Sequence, residues 1–352
     1  MKLLVLTQDY PSLDNPYAMA YVHSRNIEYK KLGHIVTVVN FSTKNSYLYE
    51  QIEVTPFAND LIDDADIILS HAPNIRNHFK ILQKLNAKKI VFFFHGHEVL
   101  YRYRDYPPSY CWVKQNPIKK LGLYCYDFLK INLVAYYLEK ISRKNQLSTI
   151  FVSRWMEKQF IKNIKIDPNC IGRTTIIPNA CNPIFLDQQY KFEQENKLAD
   201  YITIRPLDDS KYAIDLVINF ALKNPEKSFH IYGKGKYFDV NDKPKNVTVF
   251  NQFIQQKDIP NLLNKYACAL MPTRYDSQGV MVCEMATFGI PVITSTFEVC
   301  LEMLSTFENV IYLNEDDFSQ KFEIKLPNSS VKNMKFSPTN LIAEEISFFD
   351  RI

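Results

Sequence analysis

Short apolar runs recur along this chain with helix-spaced stretches between them, and that alternation restricts the fold more than any other feature. Residues 2–7 form an apolar run ended by Gln8, Asp9 and Pro11, as a buried parallel strand would be. Residues 18–32 have apolar positions at helical spacing, and Gly33 stands at the stop position. Residues 35–39 (IVTVV) read as a second strand, and further strand-like runs occupy 67–69, 90–94, 149–152 and 175–177. Strands alternating with helices argue for a parallel sheet covered on both faces.

A second series starts near residue 200. Strands are expected over 201–204, 228–232, 247–250, 267–271 and 290–293, with helices over 212–222, 259–266, 284–288 and 340–352. The polar stretch 186–199 separates the two series. At 352 residues the chain is too long for one compact core and suits two domains. The expected organisation is α/β, with a first domain over 1–185, a linker over 186–199, a second domain over 200–335 and a closing segment over 336–352. Two doubly wound domains of this kind place a ligand cleft at the carboxyl ends of their strands.

The formal net charge of +4 does not by itself point to nucleic acid. Seven cysteines include no C-x-x-C pair, and their apolar settings predict buried free thiols in a reducing compartment. Polar residues cut the N-terminal apolar run too early for a signal peptide, and no run approaches the 18 apolar residues of a membrane span. The expected location is the cytoplasm.

Residues 272–295 (PTRYDSQGVMVCEMATFGIPVITS) carry the most chemistry. They read strand, loop, helix, strand. Asp276 and Glu284 are separated by seven residues, and Gly279 lies on the loop where the backbone can approach a ligand. The following helix N-terminus can bind phosphate through its free amides, and a carboxylate accepts well from vicinal sugar hydroxyls.

This stretch resembles the signature of the retaining GT-B glycosyltransferases of glycosyltransferase family four, which carries two Glu separated by seven residues. Glu284, Met285, Ala286, Gly289, Pro291 and Val292 fall in register with it, as do Gly279 and Val280. The departures are Asp276 in place of the first Glu, and Ser277 and Gln278 where Gly and Phe are usual. The resemblance implies a GT-B fold, with two Rossmann-like domains facing a central cleft and a C-terminal helix within 336–352 that crosses back to the first domain. It implies that Glu284 accepts from the nucleotide ribose, that Asp276 lies beside the transferred sugar, and that Ser277, Gln278, Gly279 and Val280 meet the donor. It further maps Arg205 and Lys211, six residues apart, to the donor diphosphate, and Gly233 to the nucleotide pocket.

In the first half, His95 in the run 94–98 (FHGHE) matches the family's His near the transferred sugar. A metal at this run has poor support from its spacing, and the family needs none. Ser153, and residues 177–182 (IPNACN) with Phe185, match further family positions that shape the cleft and hinge. Asn15, Pro16, Tyr17 and Ala18 stand where relatives often carry a Gly pair, so the 11–18 loop has no assigned contacts.

The resulting expectation is a hexosyltransferase that holds no bound cofactor and uses a nucleotide-sugar as co-substrate, UDP-sugar before GDP-sugar. Its catalytic set is His95, Asp276, Arg205 and Lys211. The acceptor is a glycan or a lipid-linked glycan, in bacterial capsule or surface polysaccharide biosynthesis. Residues 100–146 interleave basic and apolar side chains. They fit either a membrane-surface helix at the inner face of the plasma membrane or a core helix with a solvated basic face. Two other functions share the architecture: a GT-B sugar-nucleotide epimerase and a non-catalytic nucleotide-sugar-binding subunit.

Overall fold

A computed structural model of the chain describes residues 1–13, 15, 18–113, 116–321 and 332–352. Three positions of the 11–18 loop (14, 16 and 17) and residues 322–331 of the expected second domain lie outside the described residues. The chain divides into two compact units. The first comprises 1–105, 116–180 and 338–352, and the second 106–115 and 181–337.

Among its described residues the first unit has eight strands: β1 (Lys2–Thr7), β2 (Ile35–Asn40), β3 (Tyr47–Tyr49), β4 (Ile52–Thr55), β5 (Ile67–His71), β6 (Lys89–Phe94), β7 (Gln146–Phe151) and β8 (Arg173–Ile176). Their order is β3-β4-β2-β1-β5-β6-β7-β8. Every pairing is parallel except β3 with β4. The central strands are buried along nearly their whole length, which is why β6 reads KIVFFF rather than alternating. The longer helices are α1 (Ala20–Lys31), α2 (Pro117–Ser142) and α3 (Arg154–Asn163). Ser153 caps α3 by accepting from the Met156 amide at 3.0 Å.

The C-terminal helix Pro338–Phe349 packs on α1 in this unit through a buried ion pair. Arg25 Nε donates to Glu345 Oε1 at 2.8 Å, with both side chains almost fully buried. Arg25 also donates to Asn179 Oδ1 and the Pro178 carbonyl, and Tyr29 donates to the second oxygen of Glu345. A charge pair so satisfied can sit in an apolar core.

Helix α2 is apolar on two faces. Ile131, Val134, Leu138 and Ile141 are buried, while Ile118, Leu121, Phe128, Leu129 and Tyr136 are exposed. The expected solvated basic face is therefore largely apolar.

Among its described residues the second unit has six parallel strands: β9 (Ala199–Ile204), β10 (Phe229–Tyr232), β11 (Val247–Phe250), β12 (Tyr266–Leu270), β13 (Val292–Ser295) and β14 (Val310–Leu313). Their order is β11-β10-β9-β12-β13-β14. The chain winds outward one way from β9 and the other way from β12, so the order reverses between those two strands. That is where an open α/β sheet leaves a crevice for ligand. Helices α4 (Ile214–Lys223) and α5 (Val280–Phe288) belong to this unit. The polar stretch 186–199 also packs here: Tyr190 donates its hydroxyl proton to the Tyr266 carbonyl at 2.7 Å, and the Lys191 amide donates to Asn264 Oδ1 at 2.8 Å.

All seven cysteines are free thiols. Cys181, Cys268, Cys283 and Cys300 are buried as expected, whereas Cys111 and Cys125 are exposed.

Candidate active site

The strand order places the candidate residues of the second unit at its switch point. Arg205 follows β9, residues 271–279 follow β12, and Gly233 follows β10. Arg205 is buried. Its NH2 donates to the Met271 carbonyl at 2.9 Å and to Thr273 Oγ1 at 2.8 Å. Its Nε finds no hydrogen-bond partner among the described residues. Burial pushes its pKa down, and the negative charge of Asp276 works against that shift. A buried cation with a donor to spare can hold an anion.

Lys211 is half-buried on the turn Ser210–Tyr212. Burial lowers the pKa of its ammonium, but Tyr212, Asp209, Tyr106 and Asp276 more than offset this and leave it raised. Asp276 thus influences both cations. Its own Oδ1 accepts from the Ser277 amide at 2.7 Å and the Gln278 amide at 3.3 Å, so one oxygen braces the loop it sits on.

Gly233 permits a close backbone crossing. A Cβ there would stand 1.7 Å from the Arg205 carbonyl oxygen. Its neighbour Gly235, at φ +149, would crowd Leu207 and Asp208 in the same way. These two glycines let the loop after β10 press against the loop carrying Arg205.

Gly279 serves a different need. It adopts φ 74 and ψ 56 at the start of α5, and a Cβ would meet nothing nearer than Val282 at 4.0 Å. The conformation, rather than space, calls for glycine. Its carbonyl accepts from the Val282 and Cys283 amides, leaving the first amides of the helix, from Val280 on, ahead of the intrahelical ladder. Ser277 is half-buried and Gln278 buried on the same loop.

Glu284 lies one turn into α5 and is 2% exposed. Its Oε1 accepts from the Asn182 amide at 3.1 Å and from Gln256 Nε2 at 2.7 Å, while Oε2 takes no hydrogen bond from the described residues. Burial pushes its pKa up to about 7, and the two hydrogen bonds hold it from rising further. The carboxylate is therefore built in at a cost, with one oxygen fixed and one left to accept.

The structure thus brings Arg205, Lys211, Gly233, Asp276, Ser277, Gln278, Gly279, Val280 and Glu284 into one unit. His95 is in the other. It follows β6, and its Nε2 shares a 3.1 Å hydrogen bond with His71 Nδ1. Burial, with Arg25 and His97 adding to it, pushes its pKa well down, so the ring is neutral. Glu98 holds the turn by accepting from the backbone amides of His95 and Gly96. Among the described residues no group of three or more His, Cys, Asp or Glu is arranged to hold a metal ion.

Sequence reasoning did not foresee Gln256 as a partner of Glu284, nor His71 as a partner of His95. It also missed Asp215 and Arg274, which join at 2.7 Å beside the Lys211 turn. No local pattern marks these pairs. Only the spacing of the strands brings them together.

Residues 206–326 match the family model described as Glycosyl transferases group 1. That span contains Lys211, Gly233 and the 276–284 segment, with Arg205 one residue before it. No curated protein sequence matches the chain. Among solved structures, the fold is similar to that of a glycosyltransferase from Rickettsia africae, with TM-score 0.63 and 12% identity over 99% of this chain and 98% of that one. It is also similar to a sucrose-phosphate synthase from Thermosynechococcus elongatus (TM-score 0.62, 10% identity, 100% and 98% covered). A third similar structure is trehalose-6-phosphate from E. coli bound with UDP-2-fluoro glucose (TM-score 0.63, 12% identity, 100% and 99% covered). At these identities the likeness establishes the α/β GT-B fold.

Proposed function

We propose that this chain, a glycosyltransferase by the family match of its second unit and by its GT-B fold, transfers a sugar from a nucleotide-sugar donor with retention of configuration. The observation that carries this reading is the grouping of two cations, an αL glycine at a helix start and a half-satisfied carboxylate around one strand-order switch. Departure of a nucleoside diphosphate builds negative charge on phosphate oxygens, and Arg205 and Lys211 are placed on one loop to take it. Glu284 Oε2 accepts from the ribose hydroxyls. Asp276 lies beside the sugar with its free oxygen, and His95 supports the sugar as a neutral ring. UDP-sugar is the first candidate donor and GDP-sugar the second, and no bound cofactor takes part.

The test is incubation with a panel of UDP-, GDP- and TDP-sugars, following free nucleoside diphosphate with and without membrane lipid extract. Acceptor-dependent release supports transfer. Conversion of the sugar without release would replace it with epimerisation. Tight binding without turnover would leave a binding subunit.

We infer in addition that the acceptor is a glycan linked to lipid, made for a bacterial surface polysaccharide. The support is the outward apolar face of α2. Between residues 116 and 138 the one acidic residue is Asp127, which is buried and paired with Lys130 at 2.9 Å. Lys119 and Lys120 are exposed beside Ile118 and Leu121. Apolar contact plus uncompensated positive charge suits an anionic lipid surface. No helix among the described residues is long and apolar enough to cross a membrane. Flotation with vesicles containing anionic lipid should carry the protein upward, and Leu121→Glu with Leu129→Glu should abolish this. Equal flotation of the wild type and the double variant would contradict the assignment.

A further inference from the structure

Residues 106–115 lie between two stretches of the first unit in sequence, yet they belong to the second. Their aromatic side chains explain why. The Tyr110 and Trp112 rings stack at 4.6 Å, and both meet Tyr237 edge-on at 5.3 and 5.2 Å. Tyr110 and Trp112 pack against the core under α4. Such rings contribute burial with little entropy to lose, so they anchor a short segment firmly.

The anchored segment reaches the loop that carries Lys211. Ser210 Oγ donates to the Pro107 carbonyl at 3.5 Å. The Tyr106 ring lies 4.6 Å from that of Tyr275, the residue before Asp276. The Lys211 ammonium stands 5.7 Å from the Tyr106 ring and 4.8 Å from the Tyr212 ring, so it is framed by two aromatic faces. Beneath them runs a polar brace. Tyr110 donates its hydroxyl proton to Asp215 Oδ1 at 2.8 Å, and Asp215 accepts both terminal nitrogens of Arg274 at 2.7 Å. Arg274 in turn holds the Lys211 turn, its amide donating to the Lys211 carbonyl at 2.9 Å and NH1 to the Ser210 carbonyl at 3.4 Å.

We infer that the strap Tyr106–Val113 is part of the donor site. Tyr106 walls the position where Lys211 meets the donor diphosphate, and Tyr110 is a positioning residue that acts on Lys211 through Asp215 and Arg274. The inference rests on the donor-site reading above and deepens it. A cation fixed between two rings and backed by a charged brace keeps its geometry when the ligand is absent, so binding has less ordering to supply. Neither role belongs to the sequence motifs, because the strap comes from the other half of the chain.

The experiment is calorimetric titration of the full chain with UDP, with GDP as second probe, and with the matching nucleoside. Lys211→Ala should weaken diphosphate binding most. Tyr106→Ala should raise the Kd for the nucleoside diphosphate about 2- to 30-fold, the range of a cation–ring contact. Tyr106→Phe should restore it, since the contact with Lys211 is made by the ring. Tyr110→Phe should shift the Kd the same way as Tyr106→Ala. All variants should bind the nucleoside as the wild type does, a split that general loosening of the unit would not produce. Wild-type diphosphate affinity in the two tyrosine variants, with loss in Lys211→Ala, would overturn the strap and leave the donor site standing. Wild-type affinity in Lys211→Ala would overturn the donor-site reading itself. Equal weakening towards nucleoside and nucleoside diphosphate would reduce the strap to packing.

Discussion

Replacing Glu284 by Gln should make the protein more stable at alkaline pH and a poorer binder of its donor. The side chain is 2% exposed, and burial holds its pKa at about 7, above the ordinary 4.5 of a glutamate. A carboxyl whose pKa is higher in the folded state takes up a proton on folding. Its contribution is therefore most favourable below the unfolded value and is lost as pH rises from about 4.5 through about 7. The full shift amounts to about 3 kcal/mol of cost above pH 7. Gln keeps an acceptor for the Asn182 amide and Gln256 Nε2, and it removes the charge. Unfolding by denaturant should show Glu284→Gln gaining up to about 3 kcal/mol over the wild type at pH 8 and little at pH 4.5. Two hydrogen bonds from a ribose diol to a carboxylate lose their charge assistance, so affinity for the nucleoside diphosphate should fall about 10- to 100-fold. In the wild type the same affinity should weaken as pH falls through 7. A variant that is less stable at pH 8 and binds normally would refute both the burial cost and the ribose role.

Other outcomes follow from single contacts. Glu345→Ala strands Arg25 in the core beside α1 and should cost about 3–5 kcal/mol, measured by denaturant unfolding. Gly233→Ala should prevent proper folding of the second unit, because its Cβ would fall 1.7 Å from the Arg205 oxygen, whereas Gly279→Ala has room and should cost about 1 kcal/mol for its φ. Comparative thermal unfolding of the two variants separates these cases. His95→Ala should lower turnover about 10²- to 10³-fold while leaving the Kd for the nucleoside diphosphate unchanged, as titration and rate measurements on one preparation would show.

The parallel strands were legible because burial on both faces writes them as apolar runs, unbroken in β1 and β6. Strands β3 and β4 were not, since YLY and IEVT are short and half-exposed at the sheet edge. The 272–295 segment displayed its loop, helix and strand because its chemistry is local. What surrounds it is not local: Glu284 answers to Asn182 and Gln256, which are 102 and 28 residues away. The helix itself begins at Val280 rather than Glu284, because an αL glycine starts it without a side-chain cap. In sequence the strap at 106–113 merges with its basic and apolar flanks. Its rings find their partners more than 100 residues on, at Asp215 and Tyr237. On α2, lysines between apolar residues suggest a basic face, whereas the outward side is mostly Ile, Leu, Phe and Tyr.

The most direct test of the donor site is a structure of the protein soaked with UDP, and with GDP in parallel. A nucleoside diphosphate should lie at the β9–β12 switch, with ribose hydroxyls on Glu284 Oε2 and phosphate oxygens on Arg205, Lys211 and the amides from Gly279 and Val280. A nucleotide bound elsewhere, or one whose phosphates avoid both Arg205 and Lys211, would contradict it.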